Sequence, residues 1–388
     1  KSSNCHDCFG CVNLNNASYQ IFNLQYTRDE YFKKLTDLNV GSRTRVEDLK
    51  EKFQKHFLSY PRRFARMIHA VDSNGDNLEE TKNCKHCFDV FGGAEDCKNV
   101  WLAYSKVTDS MDVDRVGLNT EFGYDTSTIY PGSKVFFSRF IFSSHDIYYS
   151  YNNHNCSYLF GCIGLKNKQY CILNKQYLKE EYEKLFPQII EHMNNKPYID
   201  QQGRIYKFGE FFPIEISPFA YNETIAQEIK ILTREEAEKE GFVWRIVEDK
   251  VNIPTMKSSE VPDNIAGVTN TICNETVECK HDGKCVDQCT VVFKVVPTEF
   301  EFYKKMGIPL PDLCPSCRHY RRIRQRNPLK LWHRKCQCFG TKSENGVYQN
   351  TAKHFHLVNH CSNEFETSYA PDRPEIVYCE QCYQAEVV

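Results

Sequence analysis

Two stretches of this chain are copies of one another, and a chain that repeats itself is built first of all from stacked units. Offset by 151 residues, Asn4, Cys5, Phe9, Gly10, Cys11, Leu14, Asn16, Tyr19, Ile21, Asn23, Gln25, Tyr26 and Tyr31 recur as Asn155, Cys156, Phe160, Gly161, Cys162, Leu165, Asn167, Tyr170, Ile172, Asn174, Gln176, Tyr177 and Tyr182. Each copy reads as short strands feeding a helix. Tyr26-Thr27-Arg28-Asp29-Glu30 offers a capping box at the first helix start, and Leu178 in place of Thr27 weakens the second cap.

Between the copies a looser motif recurs, Asn or Asp followed by alternating apolar positions, at Asn83-Cys84, Asp96-Cys97, Asp109-Ser110 and Asp146-Ile147. Runs such as Val135-Phe136-Phe137 and Phe140-Ile141-Phe142 sit among Gly, Asn, Asp and Ser turns. Units of this kind bury a shared face by stacking, which predicts an irregular β-solenoid-like repeat domain, its motifs spaced 13, 13 and 37 residues apart. A small antiparallel sandwich is the competing arrangement. Val46, Leu49 and Phe53 follow the helical period in an insert that Pro61 ends, and Asn74-Gly75-Asp76 reads as a turn. Further on, Gln202-Gly203 suggests a hairpin, and Thr233-Arg234-Glu235-Glu236 a capped helix stopped by Gly241.

Cysteine separates the repeat region from the rest. Of 20 cysteines, nine lie between Cys5 and Cys171, none between Ile172 and Ile272, and eleven between Cys273 and Cys382. Cys314-x2-Cys317 and Cys379-x2-Cys382 are spacings that suit a metal ion better than a disulfide network, which favours zinc in a reducing cytoplasm. Two thiolate pairs, Cys285 with Cys289 and Cys314 with Cys317, make one closed tetrahedral set. Cys338, Cys361, Cys379 and Cys382 make a second, with Cys336 as the alternative to Cys338. Cys273 and Cys279 stay open as substitute ligands, a local disulfide or free thiols. In the repeat Cys8 becomes Leu159, so the N-terminal thiols read mainly as core, with Cys84, Cys87 and Cys97 a weaker candidate for zinc.

Phe300-Glu301-Phe302-Tyr303-Lys304-Lys305-Met306-Gly307-Ile308-Pro309-Leu310-Pro311, leading into Cys314-Pro315-Ser316-Cys317-Arg318, resembles the zinc-ribbon (treble-clef-like) family. There an aromatic helix ending in a Pro-rich turn presents the second knuckle. With the segment Thr367 to Cys379 and the amide-rich copies, the whole chain is similar to uncharacterised zinc-ribbon proteins of candidate-phyla bacteria. The resemblance implies zinc and a bacterial cytoplasm, and carries no established activity. The family's first knuckle is usually CxxC, where this chain has Cys285-x3-Cys289.

A net charge of -2 excludes a globally basic nucleic-acid coat, yet one segment is strongly basic. Arg318, Arg321, Arg322, Arg324, Arg326, Lys330, Arg334 and Lys335 occur without an acidic residue among them, interleaved with His319, Tyr320, Trp332 and His333. Arginines that grip phosphate beside aromatic faces suit RNA or single strands, and a face packed on acidic neighbours is the alternative. Asp109, Asp112 and Asp114 lack the rest of a calcium loop, and no phosphate loop, nucleophile elbow or HExxH is present. Of His354, His356 and His360 near Cys361, one reads as a spare or alternative ligand and the others as surface residues, with an open catalytic metal the less favoured reading. No apolar run is long enough for a membrane span, and the opening Lys1 suggests a fragment or processed product.

The expected architecture is α+β and multidomain: residues 1–40 the first repeat copy, 41–81 a helical insert, 82–185 the β-repeat domain, 186–250 a mixed segment, 251–268 a linker, 269–335 a first zinc ribbon with the basic stretch, and 336–388 a second. The expected function is a non-catalytic zinc protein that binds RNA or a ribonucleoprotein, with a scaffold role in a larger assembly as the alternative.

Overall fold

One small aliphatic side chain turned inward every twelve or thirteen residues organises the centre of the molecule. Leu78, Val90, Ala103, Val116, Ile129 and Ile141 stand in register on successive strands, each buried. They belong to a 14-stranded sheet that is parallel except for its last hairpin, Gln169–Ile172 with Lys175–Gln176. The parallel pairing replaces the antiparallel sandwich. A computed structural model describes residues 2–246 and 253–387; Lys1, residues 247–252 and Val388, and with them the predicted junction of mixed segment and linker, lie outside the described residues.

The corners between strands explain the recurring Asn and Asp. Asn83, Asp96, Asp109, Phe122, Lys134 and Asp146 all have φ between 48° and 54°, the left-handed region that short polar side chains tolerate best. Phe122 and Lys134 occupy the same corner without the signature letters, so the apparent gap of 37 residues contains ordinary strands. Side-chain ladders tie adjacent corners, with Asn83 Nδ2 2.5 Å from Asp96 Oδ1 and Asn99 Nδ2 2.7 Å from Asp112 Oδ1.

The two copies fold alike. His6–Phe9 pairs with Ser18–Ile21 as Ser157–Phe160 pairs with Gln169–Ile172, residue for residue. Asn23 brackets the backbone of Val12 at 2.8 Å through both amide atoms, and Asn174 does the same for Ile163. Each copy then feeds a helix, α1 (Arg28–Asp37) or, later in the chain, Lys179–Asn195. The Thr27 capping box is present, whereas Leu178 provides no side-chain cap.

Helix α2 (Arg43–Leu58) forms the predicted insert, but the parallel sheet already begins at Met67–Ile68 inside that segment. Asn74-Gly75-Asp76 is not a turn, because Gly75 opens the strand Gly75–Glu79 against Cys87. After α3 (Lys179–Asn195), Gly203 turns the expected small hairpin between Tyr198–Ile199 and Ile205–Tyr206. Short helices α4 (Ala226–Ile229) and α5 (Arg234–Lys239) follow, the latter capped by Thr233. The described part of the predicted linker is packed: Val261, Ile265 and Val268 are buried with Cys314 and Cys317, and Asp263 accepts hydrogen bonds from Ser42 and Thr44. Three helices lie in the C-terminal lobes, α6 (Pro297–Met306), α7 (Pro315–Ile323) and α8 (Glu380–Val387). No helix among the described residues is long and apolar enough to cross a membrane.

Gly75 has φ 149°, and a Cβ there would lie 1.8 Å from the carbonyl oxygen of Cys87. Gly75→Ala is expected to cost about 3 kcal/mol or more, since backbone must move. Gly267→Ala, with open space around it, serves as the control in thermal or denaturant unfolding.

Candidate metal centres

In the first lobe, Val277–Glu278 pairs with Val292–Phe293, which brings Cys279 and Cys289 to one end of a two-stranded ladder. Helix α6 stops at Gly307 in the left-handed conformation, and a Pro-rich segment leads to α7. Cys314 caps α7 and accepts from the Cys317 N–H at 3.5 Å, so both cysteines sit on the first turn. Cys279, Cys289, Cys314 and Cys317 converge, with Sγ separations of 3.8 Å for Cys279 to Cys317 and 4.0 Å for Cys289 to Cys314.

The second lobe repeats this plan. Trp332–Lys335 pairs with Glu364–Thr367, and Cys379 and Cys382 lie at the start of α8. Cys336, Cys361, Cys379 and Cys382 converge, all buried, with Cys361 Sγ 3.9 Å from Cys379 Sγ. Four thiolates about 2.3 Å from one tetrahedral ion stand about 3.8 Å from each other, and a disulfide would bring two of them to about 2.0 Å. The observed spacing fits a shared ion, and all twenty cysteines are free thiols.

Two ligand assignments change. Cys279 takes the place predicted for Cys285, and Cys336, the alternative, takes that of Cys338. The backbone decides both, because the N–H of Cys314 points at Cys279 Sγ and that of Cys379 at Cys336 Sγ, each at 3.2 Å. Cys285 lies in a neighbouring group with His281, Asp287 and Cys317, and Cys338 in one with His354, His356 and Cys382. Cys273 belongs to none of these groups, and His360 instead meets the carbonyl oxygen of Cys361 at 2.8 Å. The sequence reading left Cys279 open and missed His281 and Asp287; the signal was Cys279-x-His281, spaced like Cys336-x-Cys338.

Electrostatics show why these thiols suit a cation. Hydrogen bonds from Cys336 and Cys382 hold the Cys379 thiol far below its ordinary value, and Cys382 is pushed far above its own beside Cys336, Cys338 and Cys379. Cys338 is lowered to about 5, first by its hydrogen bond with Cys382, with burial opposing. Several thiolates cannot ionise together in a dry pocket, and a divalent ion removes that conflict.

The N-terminal cysteines do different work. Cys84, Cys87, Cys97, Cys156, Cys162 and Cys171 are buried in the sheet core, and none joins a ligand group among the described residues. Cys84, Cys97, Cys156 and Cys162 donate to the carbonyl two residues back, as Ser110, Ser138, Ser144 and Ser150 do elsewhere. Cysteine and serine make the same contact at this corner.

Most of the basic stretch is engaged inside the molecule. Arg318 pairs with Glu299 at 3.3 Å, Arg321 with Glu47 at 3.9 Å, Lys335 with Glu364 at 3.1 Å, and Arg324 forks onto buried Asp287. Arg334 donates to the carbonyl oxygens of Tyr369 and Ala370, and Lys330 lies over the Trp332 ring. Arg322 and Arg326 make no ion pair among the described residues. No family model matches the chain, and neither a curated protein nor a solved structure matches it.

Cys279→Ser is expected to release metal from the first lobe, while Cys273→Ser retains it, as read by elemental analysis of desalted protein. Cys162→Ser should change stability by less than about 1 kcal/mol, whereas Cys162→Val should cost about 1–3 kcal/mol by leaving the Asn174 N–H without its 3.5 Å acceptor.

Proposed function

We propose that this protein is a non-catalytic zinc-binding scaffold in which two metal-centred lobes are fixed to a β-solenoid. Zinc is the ion favoured by compact all-cysteine sets with closed tetrahedral spacing. A closed set leaves no coordination position for substrate. Register offsets of twelve or thirteen residues between parallel neighbours support the solenoid reading, and two ligands from the first turn of a helix in each lobe support a treble-clef-like one.

The observation that carries the scaffold reading is an aromatic row left partly exposed along the sheet. Phe91 stacks on Tyr104 at 5.7 Å, Gly117 follows, then Tyr130 and Phe142, which stacks on His154 at 4.7 Å. Such a row offers large apolar area with little side-chain entropy to lose. The scaffold reading expects a stoichiometric protein complex or self-association that survives high salt. Tyr104→Ser with Phe142→Ser should weaken it at least tenfold by light scattering or co-purification, and unchanged assembly would count against the row.

RNA binding is the second reading, favoured by Arg322, Arg326 and Lys330, which make no ion pair among the described residues, beside Trp332. Their reversal to Glu, rather than that of Arg324 or Arg318, is the informative test. RNA retention should fall steeply with salt in the parent protein and be lost in the variant. Parent protein that purifies free of nucleic acid and shows no salt-sensitive RNA affinity would exclude this reading.

A further inference from the structure

Each C-terminal lobe holds more ligands than one tetrahedral ion uses, and the surplus is arranged alike in both. In the second lobe Cys338, His354, His356 and Cys382 converge beside the all-cysteine set, and Cys382 belongs to both groups. In the first lobe His281, Cys285, Asp287 and Cys317 converge beside the other all-cysteine set, and Cys317 belongs to both. We infer that each lobe binds two zinc ions joined by one bridging thiolate, Cys317 in the first and Cys382 in the second. This rests on the zinc reading of the all-cysteine sets and deepens it.

The histidines of the second lobe are already oriented as ligands. His354 Nε2 lies 2.8 Å from Glu386 with both side chains wholly buried, while Nδ1 faces Cys338 Sγ at 3.6 Å. Glu386 accepts from the N–H groups of Thr351 at 2.8 Å and Ala352 at 3.0 Å and from the Tyr348 hydroxyl at 2.9 Å. Glu386 is therefore an acceptor, His354 donates from Nε2, and the Nδ1 lone pair points at the thiolates. His356 uses the other tautomer: Nδ1 donates to the Asn359 carbonyl at 2.7 Å and Nε2 faces Cys382 Sγ at 3.3 Å. An outer N–H anchored to carboxylate or carbonyl is how proteins orient metal-bound histidine. A nitrogen and a sulfur on one tetrahedral zinc stand about 3.6 Å apart, close to both spacings.

The first lobe supplies an independent sign. His281 Nδ1 is buried without a hydrogen-bond partner, 3.8 Å from Asp287 Oδ2. Cys285 Sγ lies 3.6 Å from Cys317 Sγ, and Asp287, only 1% exposed, is held by Arg324. An ion at this point would give the orphaned nitrogen its partner.

Ligand order along the chain is the same in both lobes. A first-set cysteine and a second-set ligand stand one residue apart, Cys279 with His281 and Cys336 with Cys338. A second-set pair with the same spacing follows, Cys285 with Asp287 and His354 with His356. Then come two first-set cysteines, Cys289 and Cys314 or Cys361 and Cys379, and three residues on the bridging thiol. Charge agrees with double occupancy: five thiolates with two neutral imidazoles around two divalent ions leave the second lobe one negative charge, against three for a single ion. In the first lobe Asp287 adds one more, which Arg324 offsets.

The test is metal stoichiometry of the intact chain, reconstituted with zinc, desalted and weighed by native mass spectrometry. Four zinc ions per chain are expected. Two would leave the all-cysteine sites standing and overturn the bridged pairs, three would overturn the pair in one lobe, and none would overturn the zinc reading as well. His354→Ala with His356→Ala should remove one ion and leave three, and His281→Ala with Asp287→Ala another one; loss of two ions from either double variant would argue against a separable second site. In cadmium-113 protein, resolved cadmium–cadmium coupling in each lobe is expected, and four uncoupled signals would overturn the shared thiolates.

Discussion

The inward hydroxyl or thiol at the corners of successive coils is the contact on which the large sheet depends. A parallel coil this short must reverse direction within a few residues, and it does so through left-handed conformations that cost a side-chain-bearing residue about 1–2 kcal/mol. The tight corner also leaves backbone groups turned inward, away from the regular ladder. Ser150 Oγ accepts from the Cys162 N–H at 3.0 Å, and Cys162 Sγ accepts from that of Asn174 at 3.5 Å, each passing the same satisfaction to the next coil. A small side chain that both donates and accepts suits that place, which favours serine and cysteine, although Gly123 follows Ser110 there. Asn and Asp are selected at neighbouring corners, and aliphatic residues between them.

The C-terminal lobes use the same element of composition for the opposite purpose. Their regular structure is short, with hairpins of two to four residues per strand and helices of eight to ten residues. The cores of these lobes are the cysteine clusters themselves, ringed by Phe300, Leu310, Ile376 and Tyr378. Small units of this kind draw folding free energy from bound metal. The lobes are not appended freely: Arg62–Arg63 pairs in parallel with Val377–Tyr378, Ser368 donates to Asp76 at 2.6 Å, and Asp263 receives Ser42 and Thr44. The basic stretch runs through this packing, so its charges are partly consumed as structural ion pairs.

Much of the fold was legible in the chain because its signals are local. The Thr27 and Thr233 caps, the helix around Leu49 and the Gly203 hairpin each follow from residues within one turn or one coil of each other, and the two copies from matching one such segment with another. The sheet was read too short and too irregular because Phe122 and Lys134 hold corners that carry no characteristic letter, and because Gly75 reads as a turn residue when it is a point of close backbone approach. The packed state of residues 253–268 was illegible, since Val261, Ile265 and Asp263 find their partners far away in sequence.

By itself the sequence determined that the chain repeats, that its N-terminal thiols tolerate exchange while its C-terminal ones come in knuckle spacing, and that the two belong to different chemistries. Only the tertiary structure decided which cysteines close each set. Cys279 and Cys336 enter because the N–H of a cysteine on a distant segment points at each sulfur, and Cys285 and Cys338 turn instead toward histidine and aspartate. A spacing rule counts residues along the chain, whereas a tetrahedral ion selects donors by their separation in space, and that separation is set by where strands and helices pack.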